Sequence, residues 1–211
     1  MVNCSSSKSK RREIILMENE FKELLARCIT THPNIEKLIE YLSKSDFFIA
    51  PASSKFHENY PHGLLEHSLR VYKILKDKVN YYNNMHPHNN ISDESCIITA
   101  LLHDVCKIDF YQLEYRNVKD ESTHGMWEKR PFYKIVDGFP FGHGEKSVYL
   151  INKYITLTDE EAMAIRWHMG FSEPSQNYTA LGDAFRMCPL AILLHEADLE
   201  ATYKLYYEKE V

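Results

Sequence analysis

The sequence predicts an all-α fold that carries one small β-hairpin or flap around residues 110–141. Two observations support this prediction. Apolar residues recur at helical spacing over most of the chain, whereas the stretch 110–141 mixes aromatic and polar residues with Pro131, Gly138 and Pro140. The chain has 211 residues, of which 44% are hydrophobic and 26% charged, so it is long enough for one globular domain with a sizeable core.

The N-terminal part divides into a tail and a pair of helices. Residues 1–12 contain three consecutive serines and a cluster of Lys and Arg, which is typical of a flexible basic tail. Apolar residues at helical spacing predict one helix over 13–30 and a second, amphipathic helix over 35–42. We therefore expect residues 13–59 to form a helical pair and a loop, packed on a domain of residues 60–211.

Two helices in the middle of the chain carry histidines on apolar faces. The helix predicted over 62–82 places His67 among core-facing residues. Ser92 is suited to cap the next helix, whose apolar run ends at His103 and Asp104. Such polar groups are costly in a helix interior unless something pairs with them. An imidazole and a carboxylate together are good ligands for a divalent metal ion.

Three further polar residues follow on helices after the hairpin. His143 lies between two glycines where a helix begins, and a capping box at 158–161 opens a helix that ends at His168, before Gly170. Asp198 falls on the apolar side of the last predicted helix. Because an unpaired carboxylate there would be costly, Asp198 is favoured as a metal ligand.

The order of these side chains is more informative than any one of them. From the N terminus they are His67, His103, Asp104, His143, His168 and Asp198. This order resembles the HD-domain superfamily of metal-dependent phosphohydrolases, whose signature is a His, a His-Asp doublet and a distant Asp. The two additional histidines resemble its six-ligand, two-metal branch. The stretch 62–68 also resembles the first-His helix of HD proteins related to a bacterial 3′–5′ exoribonuclease.

The resemblance implies an HD helical bundle and a set of roles for these residues. One ion would be held by His67, His103, Asp104 and Asp198. Asp104 would bridge to a second ion, held by His143 and His168. The implied cofactor is one or two divalent transition metal ions, namely Fe, Mn, Zn, Ni or Co, with Mg as a further option.

Other residues near these motifs are candidates for catalysis or substrate binding. Besides His103 and Asp104, we assign a catalytic role to Lys107, which would neutralise a phosphate or simply pair with Asp104. The candidates for substrate contact are Lys146, Arg166 and His62. Arg166 is suited to grip phosphate, and its alternative is a surface ion pair.

This chain departs from the resemblance at Cys106, where many HD proteins have Gly. We interpret Cys106 as a packing residue, since an unpaired cysteine usually behaves as a small buried hydrophobe. The alternative interpretation is a reactive thiol beside the metal site.

The function that the resemblance implies is hydrolysis of a phosphoester, in a nucleotide or another small phosphorylated molecule, by a metal-activated hydroxide. The formal net charge of −5 disfavours a nucleic-acid substrate. The alternatives are a di-iron oxygenase of the same superfamily and a non-catalytic, metal-containing binding module. Five dispersed cysteines and the lack of a long apolar run predict a cytoplasmic protein with no membrane partner. The sequence does not indicate an oligomeric state.

Overall fold

The computed structural model describes residues 3–55, 58–120 and 126–205, and this part contains eight α-helices and a two-stranded antiparallel sheet. The helices are α1 (Asn3–Ala26), α2 (Ile35–Lys44), α3 (Gly63–Met85), α4 (Asp93–Leu102), α5 (His143–Ile151), α6 (Asp159–Trp167), α7 (Tyr178–Met187) and α8 (Pro189–Tyr203). The strands are β1 (Tyr111–Asp120) and β2 (Met126–Ile135). The prediction of a helical fold with an inserted hairpin is confirmed.

Helices α1 and α2 lie at the N-terminal end of the described residues and contact each other. Residues 3–12, which we expected to form a flexible basic tail, are helical in the structure, whereas residues 1 and 2 of that tail lie outside the described residues. Lys and Arg favour helix, and the amphipathic segment after Glu13 supplies the nucleus on which the helix extends. Phe21 of α1 contacts the rings of Phe47 and Phe48, so this pair shares one core with the rest of the chain.

Helix α3 lies at the centre of the fold. It packs against α8 and α4, while α6 packs against α8 and α5. Leu64, Leu65 and Leu75 of α3 are fully buried, as are Ile97 and Leu101 of α4. Each such side chain contributes about 1.5–3 kcal/mol relative to an exposed position. This packing brings the first turns of α3, the ends of α4 and α6, and the middle of α8 close together.

Helix α6 begins with the capping box that the sequence predicts. Thr158 Oγ1 accepts the Glu161 N–H at 3.2 Å, and Glu161 Oε2 accepts the Thr158 N–H at 2.9 Å. The Glu161 carboxylate is fully buried and also accepts hydrogen bonds from Ser95 at 2.7 Å and His32 Nε2 at 2.9 Å. One side chain therefore ties the start of α6 to α4 and to the turn between α1 and α2.

The hairpin stands apart from the helical core. Tyr111 pairs with Ile135 at its base, and the register continues to Asp120 opposite Met126. Several of its apolar side chains, such as Leu113 and Tyr115, are exposed, and Trp127 is exposed by 70%. The hairpin therefore does not bury these aromatics against the helices, and only its base reaches the cavity described below. Within the part of the chain that the structure describes, no helix combines the length and the apolar character that crossing a bilayer requires.

Candidate metal centre

The six predicted ligand side chains converge on one place. They come from α3, α5, α8 and the C-terminal ends of α4 and α6, and are His67, His103, Asp104, His143, His168 and Asp198. Their donor atoms form overlapping groups in which all atoms lie within 4.8 Å of one another: His67, His103 and Asp198; His103, Asp104 and His168; and Asp104, Cys106 and His143. The packing of the helices thus assembles residues that are up to 131 positions apart in the sequence.

One half of the cluster surrounds His67 and His103. His67 Nε2 lies 3.0 Å from Asp198 Oδ1 and 3.9 Å from Asp104 Oδ2. His103 Nε2 lies 3.2 Å from Asp104 Oδ2 and 3.9 Å from Asp198 Oδ1. Two nitrogen or oxygen ligands of one ion, each about 2.1 Å from it, are separated by no more than about 4.2 Å. These four separations therefore fit a shared divalent ion.

The other half surrounds the second oxygen of Asp104. Asp104 Oδ1 lies 2.9 Å from His143 Nε2 and 3.7 Å from His168 Nε2. The two oxygens of one carboxylate thus face two different histidine pairs, Oδ2 toward His67 and His103, and Oδ1 toward His143 and His168. A carboxylate in this position is suited to bridge two ions.

The orientation of two imidazole rings is set within their own helices. His103 Nδ1 lies 2.8 Å from the Ala100 carbonyl oxygen, and His168 Nδ1 lies 2.7 Å from that of Ile165. A carbonyl only accepts, so each Nδ1 carries a hydrogen, and in the neutral ring each Nε2 presents a lone pair. Among the described residues no group makes a well-aligned hydrogen bond to the buried Nε2 of His103. Because an unsatisfied buried nitrogen costs about 1–3 kcal/mol, this nitrogen fits a metal ion.

The charges in the cluster favour an ionised Asp104. Burial opposes ionisation, but Lys107 Nζ at 2.7 Å and His103 hold the pKa of Asp104 well below its ordinary value. The pKa of Asp198 is lowered in the same way. Burial raises it, but His67 and His103 have the larger combined effect and bring it below its ordinary value. Two ionised carboxylates among histidines are a donor set that suits divalent transition metals.

The histidines differ from one another in their protonation. Burial lowers the pKa of His168, so that its ring is neutral, as a metal ligand must be. Burial also acts against protonation of His143, but Cys106 and Asp104 raise the pKa of this ring to about 10. The raised pKa means that the surroundings of His143, 2.9 Å from Asp104 Oδ1, favour a positive charge.

A cavity of about 370 Å³ opens onto this cluster. Asp104, His143 and Asp198 lie in its wall, whereas His67, His103 and His168 are buried beneath it. Its rim includes Lys107, Tyr111, His195, Thr202 and Tyr203. This volume is typical of sites for small ligands.

Lys107 lies 2.7 Å from Asp104 and lines the cavity at the cluster, whereas the candidates for substrate contact lie elsewhere. His62, in the left-handed conformation before α3, directs Nδ1 to the Phe48 carbonyl oxygen at 2.7 Å and lines a different cavity. Lys146 is buried against Asp137, 2.7 Å away, and lies over the ring of Phe110. Neither residue lines the cavity at the cluster.

Arg166 is also held away from this cavity. Its guanidinium pairs with Glu145 at 2.5 Å and with Glu173 at 2.9 Å, and it stacks on Trp167. The ion pair that we considered as the alternative role is what the structure shows. Lys146 and Arg166 are alike in this respect. Each lies on a helix, and the segment next to that helix supplies the carboxylate with which it pairs.

Glu58 is a buried carboxylate at the site that sequence reasoning missed. Its Oε2 lies 3.7 Å from His67 Nδ1, and its Oε1 accepts from Arg70 at 2.5 Å. Glu58 lies in an irregular loop, where no periodicity marks it. The signal that would have indicated it is Arg70, which falls on the buried face of α3 and needs a buried anion.

Comparison with known proteins gives one family match. A family model described as "HD domain" matches residues 64–202, which is more than half of the chain and includes all six candidate ligands. No curated protein and no solved structure matches the chain.

Proposed function

The chain belongs to the HD domain family, whose members are in general metal-dependent hydrolases, and from this premise we propose that it is a two-metal phosphohydrolase. Its substrate in this proposal is a nucleotide or another small phosphorylated molecule, cleaved at a phosphoester. The observation that carries the proposal is the division of the Asp104 oxygens between two pairs of histidines.

The residues that would hold the two ions follow from the distances given above. One position has His67, His103, Asp104 and Asp198, and the other has Asp104, His143 and His168. When bound, divalent ions make water a better nucleophile near neutral pH and offset charge on phosphoryl oxygens. Glu58 supports the first position by its charge. Its Oε2 lies 3.7 Å from Nδ1 of His67, beyond hydrogen-bond distance, and a negative charge there favours an N–H at Nδ1 and hence the tautomer whose Nε2 faces the ion.

The residues around the cavity have complementary tasks. The Lys107 ammonium, 2.7 Å from Asp104 and at the cavity wall, is placed to contact a phosphoryl oxygen and to stabilise added negative charge. Tyr111 and Tyr203 at the rim offer flat surfaces against which a nucleobase can stack. These features support a small phosphorylated ligand, and the acidic chain provides no positive field for a long polyanion.

The test begins with protein purified without chelator. Elemental analysis gives the ions per chain, and phosphate release from a panel of nucleoside mono-, di- and triphosphates and aryl phosphoesters gives the activity. We expect about two ions per chain and hydrolysis that stops when a chelator removes them. Hydrolysis by the metal-free protein, or by Asp104→Ala, would contradict the proposal.

The same preparations separate the two alternatives. Bound iron with oxygen uptake, and no phosphate released from any substrate, would indicate the di-iron oxygenase. Tightly bound metal with neither reaction would indicate a non-catalytic binding module.

A further inference from the structure

The thiol of Cys106 lies inside the metal cluster. Cys106 is in the turn directly after Asp104 and is only 3% exposed. Its Sγ lies 3.4 Å from Nδ1 and 3.6 Å from Nε2 of His143. Together with Asp104 and His143 it forms one of the groups whose donor atoms all lie within 4.8 Å of one another. This environment differs from the apolar packing that we expected from the sequence.

The separation of Cys106 Sγ from Nε2 of His143 matches that of two ligands that share an ion. Because Sγ also lies 3.4 Å from Nδ1, it sits beside the ring, so the His143 ring must turn for its Nε2 and the sulfur to bind one ion. With bonds of about 2.3 Å to sulfur and 2.1 Å to nitrogen, a tetrahedral ion places these two ligand atoms about 3.6 Å apart. The distance from Cys106 Sγ to His143 Nε2 is 3.6 Å, and the same Nε2 lies 2.9 Å from Asp104 Oδ1. One nitrogen thus lies near both the sulfur and the carboxylate.

The turn that carries the thiol is held against the helix that carries the imidazole. The backbone N–H of Cys106 donates to Ser147 Oγ at 3.1 Å, and Ser147 lies one turn after His143 in α5. The two candidate ligands are therefore positioned relative to each other by a buried hydrogen bond. Cys28 and Cys188, by contrast, direct their Sγ atoms to the backbone carbonyls of Leu24 and Glu160.

We propose that Cys106 is a thiolate ligand of the second ion, in addition to Asp104, His143 and His168. The inference rests on the proposed two-metal function and deepens it. The sulfur–metal bond forms as the thiol proton is released to solvent, with no change in oxidation state. Because thiolate is a soft ligand, this position selects zinc, iron or cobalt over magnesium or manganese.

Cobalt substitution provides a direct test on the full chain. The metal-free protein is loaded with two equivalents of Co²⁺, and its near-ultraviolet absorption is recorded. A thiolate bound to Co²⁺ adds an intense charge-transfer band that nitrogen and oxygen ligands do not produce. We expect the band in the unmodified protein and in Cys188→Ser, the matched control with a buried cysteine far from the cluster, and its loss in Cys106→Ser. Two bound cobalt ions without the band would overturn the proposal.

Metal selectivity gives a second measurement. In Cys106→Ser and Cys106→Ala we expect zinc affinity at the second position to fall at least about tenfold. Loss of a residue that only supports a ligand already costs that much. Magnesium affinity should change less. Equal losses for both metals would contradict a role as a soft ligand. Should neither variant fold, the spectrum of the unmodified protein decides alone.

The outcomes also separate this proposal from the proposed function. Metal-dependent phosphate release without the charge-transfer band leaves the phosphohydrolase in place and refutes the thiolate ligand. The band without phosphate release supports the thiolate ligand and refutes the phosphohydrolase.

Discussion

Replacing Asp104 by Asn perturbs the metal centre with the least change in shape. The side chain of Asp104 is 3% exposed, and its carboxylate lies 2.7 Å from Lys107 Nζ and 2.9 Å from His143 Nε2. The substitution removes one negative charge that faces both proposed ion positions. We therefore expect Asp104→Asn to release no phosphate and to retain fewer than two ions.

The same substitution leaves the buried ammonium of Lys107 without its carboxylate partner, and the resulting loss of stability can be estimated. Removing one partner of a buried ion pair destabilises a protein by about 3–5 kcal/mol. The lower end of this range applies here, because the side chain of Lys107 is 12% exposed and can turn toward the cavity. For a chain of this size about 1 kcal/mol shifts Tm by about 2–4 °C, so we expect Tm of the metal-free protein to fall by about 6–12 °C.

The double variant Asp104→Asn with Lys107→Met separates the structural from the catalytic effect. Without the stranded ammonium, most of the lost stability should return, while metal content and activity stay low. Thermal unfolding in the presence of chelator measures the stability, elemental analysis measures the metal content, and phosphate release measures the activity. The control is Asp183→Asn, whose ion pair with Arg186 is exposed and contributes little.

Two results would refute this reasoning. If Asp104→Asn kept two ions and full activity, Asp104 would not be a ligand. If the double variant were as unstable as the single one, the loss of stability would not come from the buried pair.

Three further predictions concern other parts of the chain. Glu58→Gln removes the carboxylate 3.7 Å from His67 Nδ1, so chelator competition should show metal affinity reduced about 10- to 100-fold, and unchanged affinity would exclude this positioning role. Burial raises the pKa of Glu161, but hydrogen bonds from His32, Thr158 and Ser95 hold it below its ordinary value. Its contribution to stability is therefore complete above about pH 4.3 and is lost as the pH falls through the lowered pKa, so the acid slope of Tm against pH should flatten in Glu161→Gln. A Cβ at Gly144 would lie 2.2 Å from the Arg166 carbonyl oxygen, whereas one at Gly182 meets nothing within 4 Å. Denaturant unfolding should show Gly144→Ala destabilised by about 1–3 kcal/mol and Gly182→Ala stabilised by up to about 1 kcal/mol, and the opposite order would contradict the packing described.

The features predicted from the sequence are those whose physical cause is local. Ser92 and Thr158 cap their helices as expected, because a capping side chain and its target N–H lie within three residues. Helix α7 was not predicted, since it buries only Leu181 and Ala184 and its surroundings are polar. His67 and Asp198 could be singled out because polar groups on apolar helix faces need a partner, whatever that partner is.

The partners of long cations could not be predicted in the same way. Lys146 and Arg166 lie close in sequence to the glycine turn and to His168, which suggested a role at the site. Their actual neighbours, Asp137 and Glu173, lie on connecting segments whose paths depend on the whole fold. Glu58 was missed for the same reason, because its contact with His67 exists only once the loop before α3 is folded.

The bonds from His103 to Ala100 and from His168 to Ile165 have a consequence for how this architecture can change over time. Each ring is oriented by a carbonyl three residues earlier, in the last turn of its own helix. Its orientation is therefore independent of the connecting segments. Insertions such as the hairpin can then lengthen, shorten or be exchanged without disturbing it. The same four-residue unit is portable: grafted onto the ends of two facing helices in an unrelated scaffold, it should deliver two oriented nitrogens.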